Sequence, residues 1–312
     1  MVIKTNRKEE ITKQSESKKA QRTGETIYIT RKKSRLHPLA FWCLFIVSGI
    51  FLIYASTQLF IWSKDNKEII SLEKEIEKII ELEPTTEQGI LINPPEEDIS
   101  IENNEQQPPA YVSDYWYYVT FPFYNVNFEN LIEKNSDTVA YIHINNTNVN
   151  YPVVQTTDND FYLNHAFDKR ENGAGWVYMD YRNTLNPMSD NVVIYGHGRK
   201  NNTVFGSLKK ALDANWQSNK DNFIINLSTP LVNYVYQIFS IYTIQSENYY
   251  ITTDFRTLEE KQIWLDTMVS RNTAANITAS VNVNDKILTL STCYNDDGIR
   301  IVVQAKLIKA SG

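Results

Sequence analysis

From Pro38 to Ser63 the chain carries no charged residue: PLAFWCLFIVSGIFLIYASTQLFIWS. About 20 apolar residues cross a bilayer core as a helix, so these 26 suffice with some tilt. Trp42 and Trp62 lie near the two ends, where amphipathic rings favour the interface. Arg31, Lys32, Lys33 and Arg35 cluster just ahead. The positive-inside bias then places the N-terminus in the cytoplasm and everything after Lys64 outside. A cleaved signal peptide is the competing reading, but this run exceeds the usual ~7–15-residue apolar core and its basic head is long. Cys43 falls inside the run and reads as a small apolar packing residue. One crossing is expected, because no second apolar stretch of this length occurs.

Charge is distributed unevenly around that span. Residues 1–37 hold 11 Lys/Arg against 4 Asp/Glu, a net of +7, which leaves −13 on the remainder of a chain whose net charge is −6. The polar head shows no periodicity and is expected to be disordered. An acidic main body excludes nucleic acid as a partner, since phosphate neutralisation needs a basic face. With 312 residues and 42% hydrophobic content, the chain has room for one sizeable domain plus appendages. Cys43 and Cys293 are its two cysteines, too far apart in the expected organisation for a disulfide and too few for structural zinc.

Lys64–Glu83 predicts a helix, with Ile69, Leu72, Ile76 and Ile79 at 3-4-3 spacing and Pro84 as its stop. The acidic, proline-punctuated stretch from Thr85 to Pro109 reads as a linker. As a coil, the 47 residues from Lys64 to Ala110 would average roughly 40 Å end to end and stretch to about 150 Å. The aromatic stretch 111–125 reads either as an element packed on the domain or as a membrane-surface patch. A folded domain is expected from near Val126. A short amphipathic helix around Phe128, Leu131 and Ile132 precedes strands at Thr138–Ile144 and Val149–Gln155. Phe161–Phe167 reads as a helical turn, and Gly175–Asp180 and Asn191–Gly196 as short strands. Val204–Leu212 reads as a helix, Phe223–Leu227 and Leu231–Ile244 as strands. Leu258–Arg271 predicts an amphipathic helix carrying Leu258, Ile263, Trp264, Met268 and Val269. Many short strands at close spacing indicate a closed or nearly closed β-barrel with few helices.

The last element is the one that points to chemistry. Ile287–Ile308, ILTLSTCYNDDGIRIVVQAKLI, reads as two strands across the turn Asn295–Gly298. Cys293 sits where the first strand ends and Arg300 where the second begins, so a hairpin brings thiol and guanidinium to one sheet edge. A nucleophilic thiol needs a base or cation beside it. The domain offers His143, which alternates within a strand and reads as a strand-face residue, and His165, which lies in an undistinguished turn. His197 differs: it follows VVIYG at a strand end and is flanked by Gly196 and Gly198, which let the backbone turn and expose the ring. The bland alternative is a buried, inert Cys293. Asp158, Asp160 and Asp168 lack a metal-loop spacing and read as a solvated face, so neither metal nor cofactor is expected. The N-x-[ST] matches at Asn145, Asn201, Asn226 and Asn276 are expected by chance in so Asn-rich a chain.

TLSTC at 289–293, with Arg300 seven residues on, resembles the signature of sortases, the cysteine transpeptidases of Gram-positive surfaces. NVVIYGHGRKNNTVFGSL (191–208) is similar to their catalytic-His region, and YIHINNTNVNYPVVQ (141–155) with DNDFYLNHAF (158–167) to their first strands. YPVVQ, YGH-x₇-FGSL and the helix before the Cys strand look most like class B. The resemblance implies a mostly β fold, a closed barrel of about eight strands with a few helices, preceded by the transmembrane helix. It implies a basic cytoplasmic tail (1–37), the span (38–63), an extracytoplasmic helix and flexible linker (64–125) and the catalytic domain (126–312). Cys293, His197 and Arg300 would be catalytic, the Tyr294 N–H a second oxyanion donor, and Thr292 and Ser291 substrate-side residues. The partners implied are secreted proteins bearing a C-terminal sorting signal and an amine acceptor such as a peptidoglycan precursor. Gly198, where class B members often have Asn, and the two acids of the 294–299 turn are departures that bear on the peptide recognised. A pilin polymerase, with a pilin Lys as acceptor, and a non-catalytic wall- or peptide-binding domain are the alternatives.

Overall fold

The computed structural model describes residues 38–80, 82–95, 114–293 and 298–312, with the backbone alone at 293. The chain divides into two compact units, Met1–Leu59 and Phe60–Gly312. The described residues of the first belong to helix α1 (Pro38–Ile79), and their apolar side chains are exposed. It is the one described helix long and apolar enough to cross a membrane.

The second unit is a barrel. Its strands are β1 (Glu83–Pro84), β2 (Ile90–Leu91), β3 (Tyr124–Asn125), β4 (Thr138–Ile144), β5 (Asn150–Val154), β6 (Tyr178–Met179), β7 (Asn191–Gly196), β8 (Ile224–Ser228), β9 (Asn233–Gln245), β10 (Ile287–Cys293) and β11 (Ile299–Ala310). Eight of them close a ring in the order β10-β7-β6-β5-β4-β8-β9-β11, and β11 pairs back onto β10. The β10–β7 and β5–β6 ladders are parallel and the others antiparallel. Closure leaves the ring without free edges, the usual solution to exposed strand hydrogen bonds. Because β11 outruns β10, its end at Lys309 and Ala310 remains available, and β2 occupies it.

Period-2 alternation decides which core each residue joins. Leu288, Leu290, Ile301 and Val303 join the larger core cluster with Ala140, Ile142 and Ile144 of β4. Ile287 and Val302 face outward, where Phe239 and Tyr242 meet helix α5. The short helices are α2 (Tyr115–Tyr118), α3 (Phe128–Lys134) and α4 (Ala214–Gln217), followed by α5 (Leu258–Ser270). Thr257 caps α5 by accepting from the Glu260 N–H at 3.1 Å, an N-cap preference realised. The buried stripe of α5 is Lys261, Trp264, Leu265 and Met268. Leu258, Ile263 and Val269, expected on its apolar face, are exposed instead. The expected helix at Val204–Leu212 is a 3₁₀ helix over Gly206–Leu212, and the expected turn at Phe161–Phe167 is a 3₁₀ turn over Phe161–Leu163.

Within 64–125 the expected helix is present through Ile79, and the described residues after it pack on the barrel. The C-terminal half of α1 buries Ile69, Leu72 and Ile76 in the barrel's own core cluster. Pro84, expected to end that helix, lies in β1 and pairs with Tyr124 of β3. Tyr115, Tyr118 and Phe123 are buried, which settles the aromatic stretch as an element packed on the domain where it is described. The Tyr115 hydroxyl donates toward the carbonyls of Ile92 and Ile308. The reason is nonlocal: two-residue strands look like linker until β3 and the long β11 edge supply their partners.

Candidate active site

Three strand ends meet at one rim of the barrel. In the parallel β10–β7 ladder Thr292 lies opposite Gly196, so the next positions along the two chains are Cys293 and His197. In the antiparallel β10–β11 ladder Cys293 lies directly opposite Arg300. Neighbouring strands run about 4.8 Å apart, and position 293 therefore sits between 197 and 300. The Cys293 side chain, Tyr294 and the rest of the turn through Asp297 lie outside the described residues.

His197, Arg300, Ser291, Thr292, Tyr195 and Tyr250 line a common cavity of about 500 Å³. His197 is held by an element far from it in sequence: its Nε2–H donates to the Leu163 carbonyl at 2.8 Å. Leu163 ends the 3₁₀ turn, and Gly175 backs it with φ +61°. A Cβ at 175 would lie 2.6 Å from the Tyr162 carbonyl oxygen, 2.7 Å from that of Leu163 and 2.8 Å from His197 Cδ2. After His197 the chain doubles back at once, its carbonyl accepting from Arg199 N–H at 3.0 Å and Phe205 N–H at 3.1 Å. Gly196 permits this closure, since a Cβ there would stand 2.7 Å from the Phe205 ring.

The two residues expected on the substrate side, Ser291 and Thr292, behave differently. The Ser291 hydroxyl is shared with the Tyr250 hydroxyl at 2.9 Å. Thr292 Oγ1 is buried without a hydrogen-bond partner among the described residues. Behind the cavity wall stands a carboxylate that the sequence reading missed. Asp180 is fully buried and accepts from the Tyr195 hydroxyl at 2.8 Å and from Arg182 Nε at 2.8 Å and Nη2 at 2.7 Å. Burial alone would raise its pKa, but Arg182 and Tyr195 hold it below the usual carboxylate value. Burial and that carboxylate in turn push the Tyr195 phenol up, so it stays a donor. The local D-Y-R sequence carries no signal for this, because the partner tyrosine arrives on another strand.

The other histidines are elsewhere. His165 stacks on Phe161 with centroids 3.9 Å apart, and its Nδ1–H donates to the Phe161 carbonyl at 2.7 Å. His143 lies between Asn150 and Asn145, and burial lowers its pKa. Asp158 accepts from the Asp160 and Phe161 N–H groups at the start of the 3₁₀ turn. Among the described residues no group of three or more His, Cys, Asp or Glu could hold a metal ion.

The family model described as Sortase domain matches residues 142–308, more than half of the chain. The chain belongs to the sortase family, class B. Sortase B of Staphylococcus aureus (strain NCTC 8325 / PS 47) is 37% identical over 187 residues, spanning 59% of this chain and 75% of that protein. The S. aureus sortase B–substrate complex is 36% identical, with a TM-score of 0.55, over 58% of this chain and 84% of that one. Sortase B from Bacillus anthracis, solved with AAEK1, is 26% identical, with a TM-score of 0.59, over 80% of this chain and 99% of that one. This sortase is therefore a cysteine transpeptidase, built on the eight-stranded barrel that its relatives share.

Proposed function

We propose that this sortase is anchored in the membrane by the apolar half of α1, N-terminus in the cytoplasm, and attaches secreted proteins to a cell-wall amine. The observation that carries the reading is the register that sets position 293 between His197 and Arg300 on the rim of a single cavity. That cavity opens at the barrel rim, where an extended sorting peptide has access. The S. aureus relative solved with its substrate supports the peptide class.

In this reading the Cys293 thiolate attacks the carbonyl of the sorting motif's scissile amide. The carbon becomes tetrahedral and its oxygen takes the negative charge. Arg300, with its planar guanidinium donors, donates to that oxyanion, with the Tyr294 N–H as second donor. His197 protonates the leaving amine as the C–N bond breaks, which leaves a thioacyl-enzyme. An incoming amine then attacks the thioester and gives its proton to His197. The tetrahedral species expels Cys293 as thiolate, and a new amide has replaced the old one with no oxidant or cofactor. Ser291 and Thr292 line the substrate side. The catalytic unit includes the packed part of 64–125 as well as 126–312.

The test is mass spectrometry of the full chain incubated with candidate sorting peptides. An adduct on Cys293 equal to the acyl fragment is expected, and adding triglycine or a wall-precursor amine should discharge it to the ligated product. Cys293→Ala should give no adduct. Removing one oxyanion donor typically costs ~10²–10³ in rate, so Arg300→Ala is expected to lose that much turnover with an unchanged melting point. Near-wild-type transfer by Arg300→Ala removes it from the mechanism. A thiol that alkylates only after unfolding would make the domain a binding module. Transfer to a pilin lysine in preference to wall amines would make it a pilin polymerase.

A further inference from the structure

We propose that the half of α1 beyond the apolar span, residues 65–73, is a clamp that sets the position of His197, with Asn66 and Tyr151 as its positioning residues. The proposal rests on the reading of His197 as the acid–base group.

His197 opens a loop that runs to Phe205 and has almost no regular structure, held internally by the Gly198–Val204 bridge. Within it Val204 takes φ +53°. A β-branched residue in the left-handed region is strained, so the surroundings must impose that conformation. They do so from two sides. The Val204 N–H donates to the Tyr151 hydroxyl oxygen at 2.8 Å, and the Tyr151 O–H donates to Glu73 Oε1 of α1 at 2.6 Å. Two residues after His197, Arg199 donates through Nη2 to Asn66 Oδ1, which also accepts from Asn201 Nδ2 at 3.2 Å. Arg199 is a costly residue to leave unpartnered here. Its Nε is buried without a hydrogen bond among the described residues, and burial lowers the guanidinium pKa.

A third tie reaches the segment beside the imidazole. Asp65 Oδ2 accepts from the Gly173 N–H at 3.0 Å, and the Asp65 carbonyl accepts from Asn172 Nδ2 at 3.2 Å. That segment continues into Gly175, which abuts His197 Cδ2. One stretch of one helix thus grips both the loop that carries the histidine and the segment that backs its ring. Asn66 is 8% exposed, and Glu73 is half-buried, its carboxyl pKa raised by burial. Misplacing a reacting group by about 1 Å can cost on the order of 10²-fold in rate.

The experiment uses the full chain in nanodiscs, with kcat and KM measured for peptide-to-amine transfer. Asn66→Ala and Tyr151→Phe are each expected to lower kcat by about 10- to 100-fold, with KM within about twofold. Asn66→Asp keeps an acceptor for Arg199 and Asn201 and is expected to hold kcat within about threefold of wild type. A general structural role would lower the amount of folded enzyme for Ala and Asp alike and would not separate kcat from KM. His197→Ala is run alongside. Wild-type turnover in His197→Ala sinks the acid–base assignment itself. Loss of turnover there, with Asn66→Ala and Tyr151→Phe both within twofold of wild-type kcat, leaves the assignment standing and refutes the clamp. Failure of Asn66→Asp to exceed Asn66→Ala refutes it equally.

Discussion

Asp190, just ahead of β7, ties three elements together. Its Oδ1 accepts from Lys261 Nζ of α5 at 3.1 Å and from Lys286 Nζ, one residue before β10, at 3.0 Å. Its carbonyl accepts from the Ile287 N–H at 2.9 Å. The Lys286 side chain is 37% exposed, so that pair contributes ~0–1 kcal/mol. Lys261 is the costly partner, with only 4% of its side chain exposed. Replacing Asp190 with Ala strands a buried ammonium, which typically costs ~3–5 kcal/mol. At roughly 2–4 °C per kcal/mol for a domain of this size, the melting point should fall by about 6–20 °C. The measurement is thermal and urea unfolding of the full chain, followed by tryptophan fluorescence. Lys261→Met in the Asp190→Ala background removes the stranded charge and should recover most of the loss. A single-variant loss below ~1 kcal/mol, or a double variant no more stable than Asp190→Ala, would refute the reasoning.

Gly175→Ala should weaken turnover at least tenfold and stability by ~1–3 kcal/mol, because its Cβ would press on the Leu163 carbonyl that holds His197; unchanged kinetics would contradict the contact. Phe123→Ala should cost ~3–5 kcal/mol, since Phe123 is fully buried; a neutral result in unfolding would return residues 114–125 to a linker. His143 has its pKa lowered by burial, so the unfolded chain binds its proton first. Its contribution is complete above the unfolded value near ~6.5 and is lost as pH falls from there through the folded pKa. Calorimetry of His143→Gln between about pH 5 and 7 should show a shallower acid decline than wild type, and parallel curves would remove His143 from it. Asp190 acts lower: burial would raise its pKa, but Lys286 and Lys261 hold it below the usual value. Its share is present above ~3.9 and fades as pH drops through the folded pKa.

Strands with strong alternation were legible in the sequence to within a residue or two. β4 and β7 coincide with their expected spans, and the Cys–Arg hairpin has its ends where the turn chemistry puts them. Elements shaped by neighbours were not. β6 contracts to two residues of an expected six because its extent is set by what β5 and β7 pair with. The site was half legible. His197 and Arg300 stood out through strand-end position and glycine flanks, whereas Asp180, Tyr250 and the Leu163 carbonyl carry no local mark.

Composition and periodicity are local properties, and they alone settled the apolar span, the β-rich class and the three chemically equipped strand ends. The hairpin partner of Cys293 is local, but the parallel ladder that pairs Thr292 with Gly196 joins segments nearly a hundred positions apart, so only the folded chain could set position 293 beside His197 as well as opposite Arg300. The same holds for α1. Its isoleucine stripe announces that one face will be buried, but the barrel wall it meets, and the histidine loop its polar residues grip, exist only once the strands have closed.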